Sequence, residues 1–88
     1  EPYQSDSYYN LGRLYFENRK YKTAIKYLKE AYLLNPNFGD ITHVLGLCYL
    51  KLDEKETACN YFQISIDAGC ESALNSQKEY CPDAVSEE

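Results

Sequence analysis

Laid against itself at an offset of 34 residues, the chain pairs Asp6 with Asp40, Leu11 with Leu45, Gly12 with Gly46, Tyr15 with Tyr49, Thr23 with Thr57, Ala24 with Ala58 and Tyr27 with Tyr61. Seven identities in one window exceed the roughly two that unrelated sequence of this composition gives. A period of this length means that one supersecondary unit, unable to bury its apolar side alone, is laid down twice and stacked. With 88 residues there is room for one domain, near the lower limit at which a core is buried without repeats, partners or cross-links.

Within each copy the apolar residues recur at helical spacing in two blocks divided by a short polar stretch. Tyr8, Leu11 and Tyr15 precede Ile25, Leu28 and Tyr32; Leu45, Tyr49 and Leu52 precede Phe62 and Ile66. Each copy therefore reads as a helical hairpin. The first helix is expected to start at Ser5 or Asp6 as N-cap and to end near Asn18, and the second to run from Lys20 to Leu34. Asn35-Pro36-Asn37 stops it, because proline cannot continue a helix and restricts the residue before it. A third helix is expected from Asp40 to Leu52. Asp53 with Glu56 is read as a capping box for a fourth, which ends at Ala68 with Gly69 as a left-handed stop. A fifth runs from Glu71 to Cys81 and ends at Pro82. The expected organisation is thus repeat 1 over 5–38, repeat 2 over 39–72, a closing helix over 71–81 and a frayed acidic tail over 82–88.

Tyr8, Leu11-Gly12, Tyr15, Ala24, Leu28, Ala31 and Pro36 together resemble a nearly complete tetratricopeptide repeat; Leu45-Gly46, Tyr49, Ala58 and Phe62 repeat most of the pattern. The second copy departs from the family at its exit, where Gly69-Cys70 replaces the expected proline. The resemblance implies an all-α fold: a right-handed α-α superhelix of two hairpins with a fifth, capping helix that buries Ala73, Leu74 and Tyr80. The small residues Gly12, Gly46, Ala24 and Ala58 are expected where the two helices of a hairpin approach most closely, and Tyr15 and Tyr49 between neighbouring hairpins.

In such arrays the first helix of each hairpin lines the inner face. The resemblance therefore assigns a partner-binding groove to Tyr9, Asn10, Arg13 and Phe16 in the first copy and to His43, Val44, Leu47, Leu50 and Lys51 in the second. A solvated helix face is ordinarily polar, so Tyr9, Phe16, Val44, Leu47 and Leu50 beside Arg13 and Lys51 read as apolar anchors rimmed by charge. The alternative is that the fifth helix, or repeats outside this sequence, cover some of them. Chaperone-adaptor relatives grip a terminal carboxylate with lysine and asparagine. Tyr9, Arg13 and Val44 stand at those places here, so recognition of a chaperone tail is not expected.

Residues 1–44 carry six Lys and Arg against five acids, and residues 45–88 three against nine. This acidic balance argues against nucleic acid, and the stripe Lys22, Lys26, Lys29 is ordinary solvation of a helix face. No run of eighteen apolar residues is present, so no membrane span is expected. There is no methionine, and Glu1 is read as an internal position exposed by leader removal or excision. His43, the one histidine, has no serine elbow, glycine-rich phosphate loop or metal motif beside it. An enzyme is not expected, nor any cofactor. The expected partner is a protein or peptide. A second role is structural packing or self-association through the uncovered end of the first hairpin, near Tyr3, Tyr21 and Tyr27.

Cys48, Cys59, Cys70 and Cys81 are spaced by eleven, with none of the short spacings of zinc or redox motifs. Cys70 and Cys81 stand about 16 Å apart along one helix, which excludes that pair and leaves the others open. The run from Ala58-Cys59 through Gly69 and Ala73 to Tyr80-Cys81 resembles the last repeat of envelope-associated bacterial tetratricopeptide proteins. That resemblance implies a Cys59–Cys81 bridge and an extracytoplasmic setting. Four small buried thiols in a reducing compartment are the alternative.

Overall fold

A computed structural model describes residues 4–81. Five helices follow in order: α1 (Gln4–Glu17), α2 (Tyr21–Leu34), α3 (Gly39–Lys51), α4 (Lys55–Asp67) and α5 (Glu71–Tyr80). No strand occurs among the described residues. The expected acidic tail and Tyr3 lie outside them.

α1 packs on α2, α3 on α4, α3 also on α2, and α5 on α4. Each hairpin closes at a glycine. A Cβ built on Gly12 would stand 2.5 Å from Leu28 Cγ and 3.3 Å from the Ala24 carbonyl; on Gly46 it would stand 2.6 Å from Phe62 Cε1 and 3.0 Å from the Ala58 carbonyl. The repeated glycine–alanine pairs are therefore helix crossings, too tight for any side chain on the first helix.

The helix exits also repeat. Arg19 and Asp53, one period apart, both adopt the left-handed region at φ 65°, and Gly69 does so at φ 95°. After each, the next amide reaches back five residues into the finished helix: Lys20 N–H donates to the Tyr15 carbonyl at 2.9 Å, Glu54 to Tyr49 at 2.9 Å and Cys70 to Ser65 at 3.0 Å. These bonds satisfy carbonyls that a helix end leaves orphaned. The geometry corrects one expectation. Asp53 terminates α3, and Glu54 stands at the N-cap of α4 without a side-chain bond, so the Asp53–Glu56 capping box does not form. Likewise Ser5 and Asp6 lie in the first turn of α1 and do not precede it.

The main core joins Ala24, Ile25, Leu28 and Ala31 of α2 to Ile41, Val44, Leu45 and Cys48 of α3, and a second cluster holds Ala58, Phe62 and Cys81. Leu45 and its counterpart Leu11 share the repeat pattern but differ in burial, 0% against 38% exposed. The cause is position in the array: α2 covers α3, and no described helix lies on the other side of α1. The apolar stripe expected of Leu11 therefore faces solvent.

Tyr15 and Tyr49 pack against the core that joins the two hairpins, and they also make contacts the repeat pattern alone does not state. Each stacks inside its own hairpin, Tyr15 on Tyr27 and Tyr49 on Tyr61, both at 5.5 Å between centroids and 6° between planes. Tyr49 also meets the neighbouring hairpin, where Lys29 Nζ lies 5.8 Å above its ring. On α5, Ala73 and Tyr80 pack inward as expected, but Leu74 is exposed and Gln77 is buried in its stead. Ala73, Gln77 and Cys81 fall on one stripe at helical spacing, and Leu74 falls off it.

Candidate partner-binding groove

Residues 9, 13 and 16 of α1 and 43, 47 and 50 of α3 occupy matching turns, so one side of the paired first helices carries Tyr9, Arg13, Phe16, His43, Leu47 and Leu50. On the α1 half, Tyr9 meets the edge of Phe38 with centroids 5.4 Å apart, and the Arg13 guanidinium sits 5.8 Å from the Tyr9 ring centre. Arg13 also pairs with Glu17 one turn on, at 3.6 Å. Phe16 leans on Tyr21 at 5.7 Å. Tyr9 and Phe16 are half-buried and Arg13 is exposed. Burial pushes the Tyr9 phenol above its ordinary range; the Asp40 carboxylate adds to this, and Arg13 opposes it.

The α3 half is more enclosed. His43 Nε2 lies 2.9 Å from Ser76 Oγ on α5, its ring meets the edge of Phe62 at 5.8 Å, and its Nδ1 is 4.0 Å from Cys70 Sγ. The Cys70 thiol in turn donates to Asp40 Oδ1 at 3.5 Å. Burial holds the His43 imidazole below its ordinary pKa, with Asp40 pulling weakly the other way. Leu47 and Leu50 are half-buried against the cluster of Ala58, Phe62 and Cys81. Lys51 is exposed at the end of the helix. No set of three His, Cys, Asp or Glu side chains among the described residues is arranged to hold a metal ion.

Two of the expected groove residues stand elsewhere. Val44 is buried in the core between α2 and α3 and lines no groove. Asn10, its counterpart one period earlier, turns with Leu11 and Leu14 toward the uncovered side of α1. Sequence reasoning missed Phe38, Ser76 and Cys70, which form the groove's middle and its α5 wall. Phe38 is signalled by an isolated aromatic beside the helix break; nothing local distinguishes Ser76.

Cys59 and Cys81 are joined by a disulfide, with Cα atoms 6.0 Å apart, tying the end of α5 to α4. Cys48 is a buried free thiol and Cys70 a half-buried one. Burial pushes Cys48 up to about 12.

Two family models, each described as tetratricopeptide repeat, match residues 5–38 and 45–67, together more than half of the 88 residues. The chain belongs to the tetratricopeptide repeat family. No curated protein matches it significantly. As a tetratricopeptide protein it is an all-α, right-handed superhelix of two hairpins, with α5 laid on α4 as a fifth helix. Tetratricopeptide repeats generally serve as non-enzymatic protein-interaction modules. None of the described helices is long and apolar enough to cross a membrane.

Proposed function

We propose that this tetratricopeptide module holds a peptide or a segment of a partner protein along the inner face of α1 and α3. Tyr9 and Phe16 are the aromatic anchors, Arg13 and Lys51 the charged rim, and His43 with Ser76 the wall where α5 closes the groove. The observation carrying this reading is that Tyr9 and Phe16 keep part of their rings in solvent on a helix face where polar residues are the rule. Arg13 touches both Tyr9 and Glu17, which sets its charge beside the aromatic anchor. We assign the module to an oxidising compartment, the bacterial envelope being one such setting, on the strength of the Cys59–Cys81 pairing.

The test uses peptides selected from a random phage-displayed library against the intact chain. Tyr9→Ala with Phe16→Ala is expected to weaken the selected peptides by about tenfold or more. Arg13→Glu is expected to weaken them as well, with helicity by circular dichroism unchanged. Leu47→Asp is a poor probe, because Leu47 packs on the second core cluster and a charge there disturbs folding. Undiminished binding by the folded Tyr9/Phe16 variant would refute the groove assignment.

A further inference from the structure

We propose that the outer face of α4 is a docking surface for α1 of a second copy of this chain, and that the Cys59–Cys81 bond keeps it closed by holding α5 there. The occupant follows from the array's own interface. α3 packs on α2, and α5 packs on α4 in the corresponding place. The two approaches match: the N-cap Phe38 has φ −90° and ψ 100°, and the N-cap Cys70 has φ −86° and ψ 103°. α1 is the first-copy counterpart of α3, and at the positions of Leu45 and Cys48, both 0% exposed, it presents Leu11 and Leu14 at 38% and 55%. α1 thus carries an interface stripe with nothing on it among the described residues, and the surface complementary to such a stripe is a second helix of a hairpin. The face of α2 is taken by α3, so in another copy only α4 remains, under α5.

α5 is a weak tenant of that site. It has ten residues, fewer than an isolated helix needs to be stable in water. It buries Ala73 and Gln77, against the larger apolar set that α3 buries on α2. Tyr80 adds a stack on Phe62 at 6.5 Å between centroids, and the remaining ties are polar: Gln77 to Gln63 at 2.8 Å and Ser76 to His43 at 2.9 Å. Cys59 stands one period after Ile25, so the bridge occupies the position that supplies an apolar contact in the first interface. A head-to-tail pair also sets the strongly acidic second half of one copy against the near-neutral first half of the next. Such a contact is heterologous and does not close on itself, so assembly continues along the array axis. Opening needs a dithiol reductant: it donates two electrons and two protons, the Cys59–Cys81 bond becomes two thiols, and the reductant closes to its own disulfide.

The experiment compares mass against concentration, by light scattering, for the oxidised chain and for the chain reduced with dithiothreitol, with amide exchange reporting on α5. The oxidised chain is expected to stay a single copy. The reduced chain is expected to lose protection in α5 and to rise in weight-average mass by about twofold or more. Leu11→Asp with Leu14→Asp is expected to keep the reduced chain monomeric and helical. Cys59→Ile with Cys81→Ser removes the bridge while restoring the side chain found at residue 25, so it decides the matter should the reduced chain lose helicity. A folded, monomeric Cys59→Ile/Cys81→Ser chain at every concentration overturns the proposal. So does assembly that ignores the Leu11/Leu14 substitutions, or unchanged protection of α5 on reduction. The peptide-binding test leaves these outcomes untouched, since Tyr9 and Phe16 lie on a different side of α1.

Discussion

His43 on α3 and Ser76 on α5 meet at 2.9 Å, a contact between the inner face of the array and its last helix. It forms where burial holds the imidazole below its ordinary value of 6.5. The unfolded chain therefore binds this proton more readily than the folded one, and between the two values the unfolded state carries more protons. Stability from neutral His43 is complete above about 6.5, declines as the pH falls through that window and is gone below the folded value. Thermal melts at pH 5.5 and 7.5 should show a lower midpoint at the acid end. His43→Gln should flatten the part of the difference that this side chain causes; an unaltered pH dependence in that variant would place the proton elsewhere.

Gly46→Leu is expected to destabilise by about 1 to 3 kcal/mol through overpacking. A Cβ there would already stand 2.6 Å from Phe62 and 3.0 Å from a backbone carbonyl that cannot swing aside. The denaturant midpoint reads the effect. An unchanged midpoint would mean that α3 and α4 do not cross at this residue.

Arg19 offers the opposite sign. It holds φ 65° at the end of α1, a region that costs a residue with a Cβ roughly 1 kcal/mol and glycine almost nothing. Arg19→Gly should stabilise the chain by about 0.5 to 1 kcal/mol in urea unfolding. Asp53→Gly should gain less, because a short polar side chain tolerates this conformation better. Destabilisation by Arg19→Gly would show that its side chain does more than terminate the helix.

The hairpins were legible because their determinants are local and doubled: Gly12 with Ala24 and Gly46 with Ala58 mark the crossings, and Gly69 marks an exit. The tyrosine stacks were half legible. Tyr15/Tyr49 and Tyr27/Tyr61 repeat together, and joint repetition is the signal that they contact each other. What the sequence hides is what lies next to each repeat. Leu11 and Leu45 are the same residue at the same position, and only the helix beside them decides which one is buried. Val44 misled for a related reason: its neighbours along the helix face inward, and a rotation of one residue separates a groove position from a core position. Ser76 is set by the path of α5, which no periodicity encodes.

The free thiols supply the last prediction, which also reads the bridge. Cys48 is buried with its pKa pushed up to about 12, so its thiolate is about one part in ten thousand at pH 8. Cys70 is half-buried at the start of α5 and reaches solvent. Under native conditions iodoacetamide should add once, at Cys70. In denaturant without reductant it should add twice, at Cys48 and Cys70, because Cys59 and Cys81 remain joined. Reduction before alkylation should raise the count to all four cysteines. Intact-mass spectrometry counts the adducts and peptide mapping places them. Four adducts in denaturant without reductant would remove the bridge, and with it the oxidising compartment and the closed state of α4. A fast native reaction at Cys48 would instead show that the contact between α2 and α3 opens far more often than a packed core allows.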